Sequence, residues 1–476
     1  MSDLPFEQDV RKLASAVSGP VLAPGDEEYA AECARGNLAV AHRPQVVVGA
    51  ATEGDVQAAV RFAREHALPV GVLATGHGPS LPVGVLATGH GPSLPVDEGV
   101  LITTRRLDRV RVDAGARTAH VGAGALWGPV ADAAARDGLA PLVGSSPSVG
   151  VVGYTLGGGL SIGMARAHGW AADHVRSTDV VTADGELRRT APREEPDLYW
   201  ALRGGKSNFG VVTAMEFTLF PVTRLYAGNL CYAGEDADQV LRAYRDFTAG
   251  APDEVTSSFA LMRMPDLPFL PEFMRGTLTV HVRVSCVTPA AQGARLVAPL
   301  RDAAPLLADT VTEIPYADCL GIVPGGGEPW AAVEHFALLD DLTPQAVEAV
   351  LDTAGPGAAT RIDIVDIHHL GGALAAPPPA PNAVGHRDAG FAVLTLTFTT
   401  PGEAARSAAS GTELTEPLAP RSGDRRHPTF LSHADAVEER TPTAYSPETY
   451  RRLRAVKARY DPDNVFRFNH NIPAAG

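Results

Sequence analysis

His77 and His90 occupy the same place in two successive copies of Leu-Pro-Val-Gly-Val-Leu-Ala-Thr-Gly-His-Gly-Pro-Ser, residues 68–80 and 81–93. Each copy reads as a buried strand running into a glycine-rich turn that presents one imidazole. A neutral imidazole is a nucleophile, a proton acceptor and a metal ligand near neutral pH. Identity over so short a repeat points to local duplication, because solenoid repeats are longer and diverged. One copy then holds the functional position, and the other is an insertion whose loop-closure cost is small. Further glycine-dense segments follow at 122–127, 144–159 and 204–210. Glycine lets backbone N–H groups approach a phosphate closely. No segment completes a dinucleotide or P-loop fingerprint, since 122–127 lacks the third glycine and Trp200 stands where a P-loop ending at Lys206-Ser207 needs its first. Taken singly, each is a set of turns.

Metal chemistry is not expected. Cys33, Cys231, Cys286 and Cys319 lie far apart in sequence, so four buried thiols are the expectation. His168 and His174 lack partners, and the adjacent His368 and His369 point to opposite faces of a strand. Forty Lys and Arg against 55 Asp and Glu give a formal net charge of −15. That charge repels nucleic acid and anionic membranes and favours a small-molecule partner. The N-terminus has no basic flank with an apolar core and no run reaches membrane-spanning length, so a cytoplasmic location is expected.

Several elements must position these groups. Phe6, Val10, Leu13 and Val17 predict an opening amphipathic helix. Val46 to Val48 read as a strand, and Thr52 with Asp55 forms a capping box for a helix carrying Val56, Ala59, Val60 and Ala63 on one face. The first repeat copy follows as a strand, giving a parallel α/β unit. From Leu101 the pattern predicts antiparallel strands at 101–104, 109–113 and 118–122, then a hairpin over 173–190 turning at Ala183-Asp184-Gly185. Thr213, Met215, Phe217 and Leu219 alternate with polar or small residues, and Pro221 ends this region. Beyond it, Leu278, Val280, Val282, Val284 and Cys286 form one strand face and Thr279, His281, Arg283 and Ser285 the other. Helices over 236–248, 289–303 and 344–354 would cover the apolar face, leaving the polar one to line a pocket. A strand is expected at 391–398, a mobile loop at 402–426, and a basic helix at 450–460.

In order along the chain stand Ala-Thr-Gly-His-Gly, Gly-Ser-Ser-Pro-Ser-Val-Gly at 144–150, Gly-Tyr-Thr-Leu-Gly-Gly-Gly at 153–159, Asp-Leu-Tyr-Trp-Ala-Leu-Arg-Gly-Gly at 197–205, Asn-Phe-Gly-Val-Val-Thr at 208–213, Tyr-Asp-Pro-Asp-Asn-Val-Phe at 460–466 and Asn-His-Asn-Ile-Pro at 469–473. This ordered set resembles the berberine bridge enzyme-like flavoproteins of the vanillyl-alcohol oxidase superfamily. The resemblance implies an α+β fold, with a two-subdomain PCMH-type FAD-binding domain at 1–222, core about 43–222. An α+β substrate domain follows at 223–440, its antiparallel sheet covered by helices, and 441–476 returns to the FAD domain.

The resemblance further implies FAD bonded through its 8α-methyl to His77 or His90. His77 is preferred, because the preceding helix then meets its strand through a short connection. His90 keeps the following Pro95-Val96-Asp97 at its usual distance. Many family members carry a second, cysteinyl bond at the position of Ser146, whose hydroxyl cannot readily replace a thiolate nucleophile. One link at most is therefore expected. Cofactor contacts are implied for Thr75, Gly76, Gly78, Gly144, Ser145, Ser146, Ser148, Val149, Gly150, Gly153 and Thr155, for Val211 and Val212 near the adenine, and for Asn469 and Asn471 near the ring. Candidates for substrate chemistry are Tyr445 first, then Tyr450, His369 and Arg387. The implied activity is an oxidoreductase of secondary metabolism that takes a hydride from an alcohol, sugar or similar metabolite and passes electrons to oxygen. A dehydrogenase with another acceptor, or a non-catalytic flavin carrier, are the competing readings.

Overall fold

A computed structural model describes residues 4–34, 42–75, 96–268, 270–322, 331–400, 403, 411–418, 423–432 and 435–475. The chain opens with α1 (Leu4–Ala16), β1 (Val21–Leu22) and α2 (Tyr29–Cys33). Next come β2 (Val46–Gly49), α3 (Glu53–Glu65), β3 (Val70–Leu73) and β4 (Val100–Thr103). The capping box forms as expected, with Thr52 Oγ1 accepting from Asp55 N at 3.2 Å. Asp55 also accepts from the backbone N–H of Ser18 at 3.0 Å and Ala51 at 2.9 Å, which ties the start of α3 to the chain leaving α1. β4 lies between β2 and β3 and runs parallel to both. The expected antiparallel role for 101–104 is therefore corrected. An apolar run buried on both faces is what a central parallel strand needs, and Val100, Leu101 and Ile102 are buried.

Glu32 of α2 fastens this sheet. Both its carboxylate oxygens accept from Arg106, each at 2.8 Å, and a third bond comes from the Thr103 hydroxyl. The Arg106 fork outweighs burial and holds the carboxyl down at about 2. A depressed carboxyl contributes stability that is present above its unfolded pKa and lost as pH falls toward the folded value. Wild-type protein should therefore lose on the order of 3 kcal/mol between about pH 4.5 and pH 2 through this group. Melting temperatures across that window should fall less steeply for Glu32→Gln, and parallel curves would remove Glu32 as the cause.

The second sheet is antiparallel. Along this stretch lie β5 (Val110–Asp113), β6 (Thr118–Gly122), α4 (Trp127–Ala135), α5 (Val151–Leu156), α6 (Ala165–His168), β7 (Val175–Val181), β8 (Leu187–Thr190), α7 (Pro196–Gly205) and β9 (Val211–Thr218). The strand order is β5-β6-β9-β7-β8, so both predicted hairpins form.

The large sheet is built from β10 (Arg224–Ala233), β11 (Val255–Arg263), β12 (Leu278–Cys286), β13 (Leu306–Asp309), β14 (Thr312–Pro315), β15 (Ala331–Leu339), β16 (Ile364–His369) and β17 (Phe391–Thr399). Its order is β13-β10-β12-β11-β16-β17-β15, with β14 also on β10, and every pairing is antiparallel. One face buries Leu230, Phe259, Val282, Val365 and Ile367 against α8 (Ala237–Gly250), α9 (Ala290–Arg301) and α10 (Pro344–Ala354). Each such side chain contributes roughly 2 kcal/mol of apolar burial. The expected α+β architecture, with an antiparallel sheet covered by helices, is what the chain adopts. Within 402–426, residues 411–418 are helical, and Leu414 and Leu418 are fully buried in this same core. Their spacing is that of one helix face, so that part of the expected surface loop is corrected. The chain closes with α11 (Pro447–Tyr460). All four cysteines are free and buried, and among the described residues no helix is long and apolar enough to cross a membrane.

Candidate functional site

Three segments distant in sequence meet at the end of β3. Two residues beyond that strand, Thr75 packs on Gly150: a Cβ there would lie 2.7 Å from Thr75 Oγ1 and Cγ2, so the contact requires glycine. The 144–150 loop is stitched to 125–128 by Trp127 N to Val149 O at 3.0 Å, Gly128 N to Pro147 O at 2.9 Å and Val151 N to Ala125 O at 3.0 Å. Within the loop, Gly144 and Ser145 are buried, and the Ser146 and Ser148 hydroxyls are 2.9 Å apart. On α5, Thr155 turns inward to bond Val151 O at 2.8 Å. Gly153 is exposed, and a Cβ there would meet nothing within 4 Å.

The C-terminal motif supplies the third segment. Val70 N donates to Val465 O at 2.9 Å, and Phe468 packs with Leu73 and Val96. Asn208 clamps the next stretch, its Oδ1 accepting from Ile472 N at 2.9 Å and its Nδ2 donating to His470 O at 3.2 Å. The His470 ring bonds Ser432 O at 2.9 Å. Asn469 and Asn471 flank it, and the Oδ1 of each is buried with no hydrogen-bond partner among the described residues. A buried acceptor without a donor costs about 1–3 kcal/mol, so both point to a ligand that brings donors. FAD fits: it carries a ring N–H and ribityl hydroxyls, and the open surface at Gly153 admits its close approach.

His77, His90, Gly76 and Gly78 lie outside the described residues. The Val211 and Val212 side chains enter the apolar cores beside the first and second sheets. Tyr445 is buried and its hydroxyl donates to Gly204 O at 2.9 Å, while the Tyr450 ring stacks on it with centroids 6.1 Å apart. Burial raises both phenols above their ordinary pKa. His369 meets Arg166 Nη1 at 3.1 Å, and burial, then Arg166, push its imidazole down to about 3. Arg387 grips the Asp173 carboxylate with both terminal nitrogens and reaches Asn382 Oδ1 at 3.1 Å. Those last two side chains are thus committed to neighbours that fix loops between the sheets.

The polar face of the large sheet holds a group that the sequence reading did not assemble. Arg283 Nη1 donates to Asp366 Oδ2 at 2.9 Å, and Asp366 Oδ1 lies 3.4 Å from His368 Nε2. All three are buried, and Ser285 ties the same face to the glycine segment by donating to Gly163 O at 2.9 Å. The alternation of β12 signalled Arg283. Asp366 and His368, two apart on β16, carried the same period-2 signal unrecognised. Asn208 stood in a motif without a role.

Residues 44–191 match the model of an FAD binding domain, and 426–473 match berberine and berberine like. (R)-6-hydroxynicotine oxidase of Paenarthrobacter nicotinovorans is 27% identical over 98% of this chain and 99% of its own. The FAD-linked oxidoreductase YgaK of Bacillus subtilis is 26% identical over 96% and 97%. Among solved structures, 6-hydroxy-D-nicotine oxidase from Arthrobacter nicotinovorans shares the fold with a TM-score of 0.80 at 24% identity, over 96% of this chain and 98% of that one. Chitooligosaccharide oxidase does so with a TM-score of 0.82 at 21% identity, over 98% and 100%. The chain is an FAD-dependent oxidoreductase that carries an FAD binding domain and a berberine and berberine like segment, and it is similar over nearly its whole length to FAD-linked oxidoreductases.

Proposed function

We propose that residues 1–222 together with 441–476 hold FAD, attached through His77 or His90, and that 223–440 shape the site of a small-molecule alcohol, sugar or related metabolite. The carrying observation is the contact of Thr75 with Gly150 beyond β3 and the packing of Phe468 on Leu73, next to the unpartnered Asn469 Oδ1. In this reading, 144–150 and 153–155 contact the cofactor through backbone groups, and Asn469 and Asn471 accept from its donors. Lacking a cysteine, the 144–150 loop offers no second attachment point. Bound flavin supplies a two-electron acceptor for a substrate hydride. The Tyr450 phenol gives no hydrogen bond to a described residue, which leaves it available to the substrate, whereas Tyr445 anchors the adjacent backbone.

Oxygen is the proposed electron acceptor. The relatives named as oxidases support it. Purified holoenzyme turning over a substrate in air should release one hydrogen peroxide per substrate oxidised. Turnover that needs an added dye or quinone and yields no peroxide would establish a dehydrogenase instead.

A further inference from the structure

Where the glycine segment meets the polar face of the large sheet, a cavity of about 20 Å³ is lined by Leu160, Ser161, Ile162, Arg283, Ile322 and His368, among others. That is the room one water-sized group takes. Ser161 Oγ and Arg283 Nε are buried beside it without a hydrogen-bond partner. Arg283 fixes one oxygen of Asp366, and the other faces His368 Nε2 at 3.4 Å, two buried atoms that have no hydrogen-bond partner among the described residues. A carboxylate beside one ring nitrogen favours the tautomer with the proton on that nitrogen, leaving the opposite nitrogen with a lone pair. His368 Nδ1 is that opposite nitrogen, and it bonds to no described residue. We propose that Arg283 and Asp366 position His368 so that Nδ1 accepts the hydroxyl proton of a neutral alcohol substrate, the hydroxyl occupying this cavity.

This rests on the flavoprotein reading above. In the step, the O–H bond breaks and its proton passes to Nδ1. The carbinol C–H bond breaks with both electrons going to oxidised flavin, and the carbon–oxygen bond becomes a carbonyl. A hydroxyl needs such a base, because its oxygen must lose the proton as hydride departs. An amine needs none in its neutral form, and in its cationic form meets the charge of Arg283. Burial lowers the His368 pKa, opposed by Asp366 and assisted by Arg283, and burial raises that of Asp366, opposed by His368 and Arg283. The same sheet face brings His281 from β12, pushed down to about 3 by burial, and Glu334 from β15, pushed up to about 8 by burial. Arg166 and His369 complete the ionisable surroundings.

Two measurements on the holoenzyme test the assignment. With ¹⁵N-labelled histidine, and His368 signals identified by their loss in His368→Gln, the resting protein should show Nε2 protonated and Nδ1 bare at neutral pH, and Asp366→Asn should mix the tautomers. A protonated Nδ1 in the wild type overturns the proposal. Anaerobic bleaching of flavin absorbance by a panel of benzylic and secondary alcohols, with the matching amines, should occur with alcohols. It should slow about 10²- to 10⁴-fold in His368→Gln, with flavin content and substrate affinity nearly unchanged. Bleaching at the wild-type rate in that variant, or by no alcohol in the panel, also overturns it. Should His368→Gln not fold, His368→Asn supplies the signal assignment and Asp366→Asn carries both readouts. Protein lacking flavin altogether would instead sink the underlying reading, while the tautomer stays measurable.

Discussion

His77→Ala releases all of its flavin on acid denaturation, and His90→Ala keeps it attached: this is the expected outcome of intact-mass measurement on the two purified variants. β3 belongs to the first repeat copy and holds the sheet position beside β4. Thr75, two residues before His77 in sequence, is seated on Gly150. Covalent attachment at one residue makes the result all or none rather than graded. Because Ser146 offers a hydroxyl bonded to Ser148 in place of a thiolate, no second bond should retain the cofactor. The reverse pattern would assign the site to His90 and make the first copy the insertion. Flavin retained covalently in both variants would eliminate a histidyl bond at this turn.

Lys457→Met should destabilise the protein by about 3–5 kcal/mol, the cost of leaving one partner of a buried pair uncompensated. Lys457 and Asp461 are both fully buried, 2.6 Å apart, one turn from each other at the end of α11. The ammonium also donates to Asn208 O at 2.8 Å and Phe466 O at 3.0 Å. Asp461 in turn accepts from Val465 N at 2.7 Å and Phe466 N at 2.9 Å. These bonds set the path of the segment that carries Asn469 and Asn471. Loss of the cation should therefore lower the melting temperature and loosen the cofactor's surroundings, raising flavin fluorescence before global unfolding. Unchanged melting and fluorescence would show the pair to be dispensable. Restoring Asp461 to neutrality with a second substitution should recover only part of the loss, since the backbone groups of 465 and 466 remain without their acceptor.

Local patterns carried much of this into view. The capping box at Thr52 and Asp55, the hairpin turning at 183–185, and the two-faced strand over 278–286 each depend on residues close in sequence, and each formed as expected. The direction of β4 did not, because an apolar run of four residues is the same in a parallel or an antiparallel neighbourhood. Its partners, β2 and β3, decide it. The helix at 411–418 was hidden for a related reason: its polar flanks dominate the composition, and only the large core reveals that Leu414 and Leu418 are covered.

What the sequence alone determined was the flavin chemistry, since the Gly-His turn, the 144–159 glycines and the terminal Asn-His-Asn are each contiguous motifs. Tertiary structure decided which groups share a site. Arg283 and Asp366 are 83 residues apart and become neighbours only because β11 lies between β12 and β16 in one sheet. Thr75 meets Gly150, and Phe468 meets Leu73, because packing at the end of β3 brings three distant segments together. Short motifs record backbone geometry, which is local. The pairing of buried charges is a property of strand order, which no single stretch of chain contains.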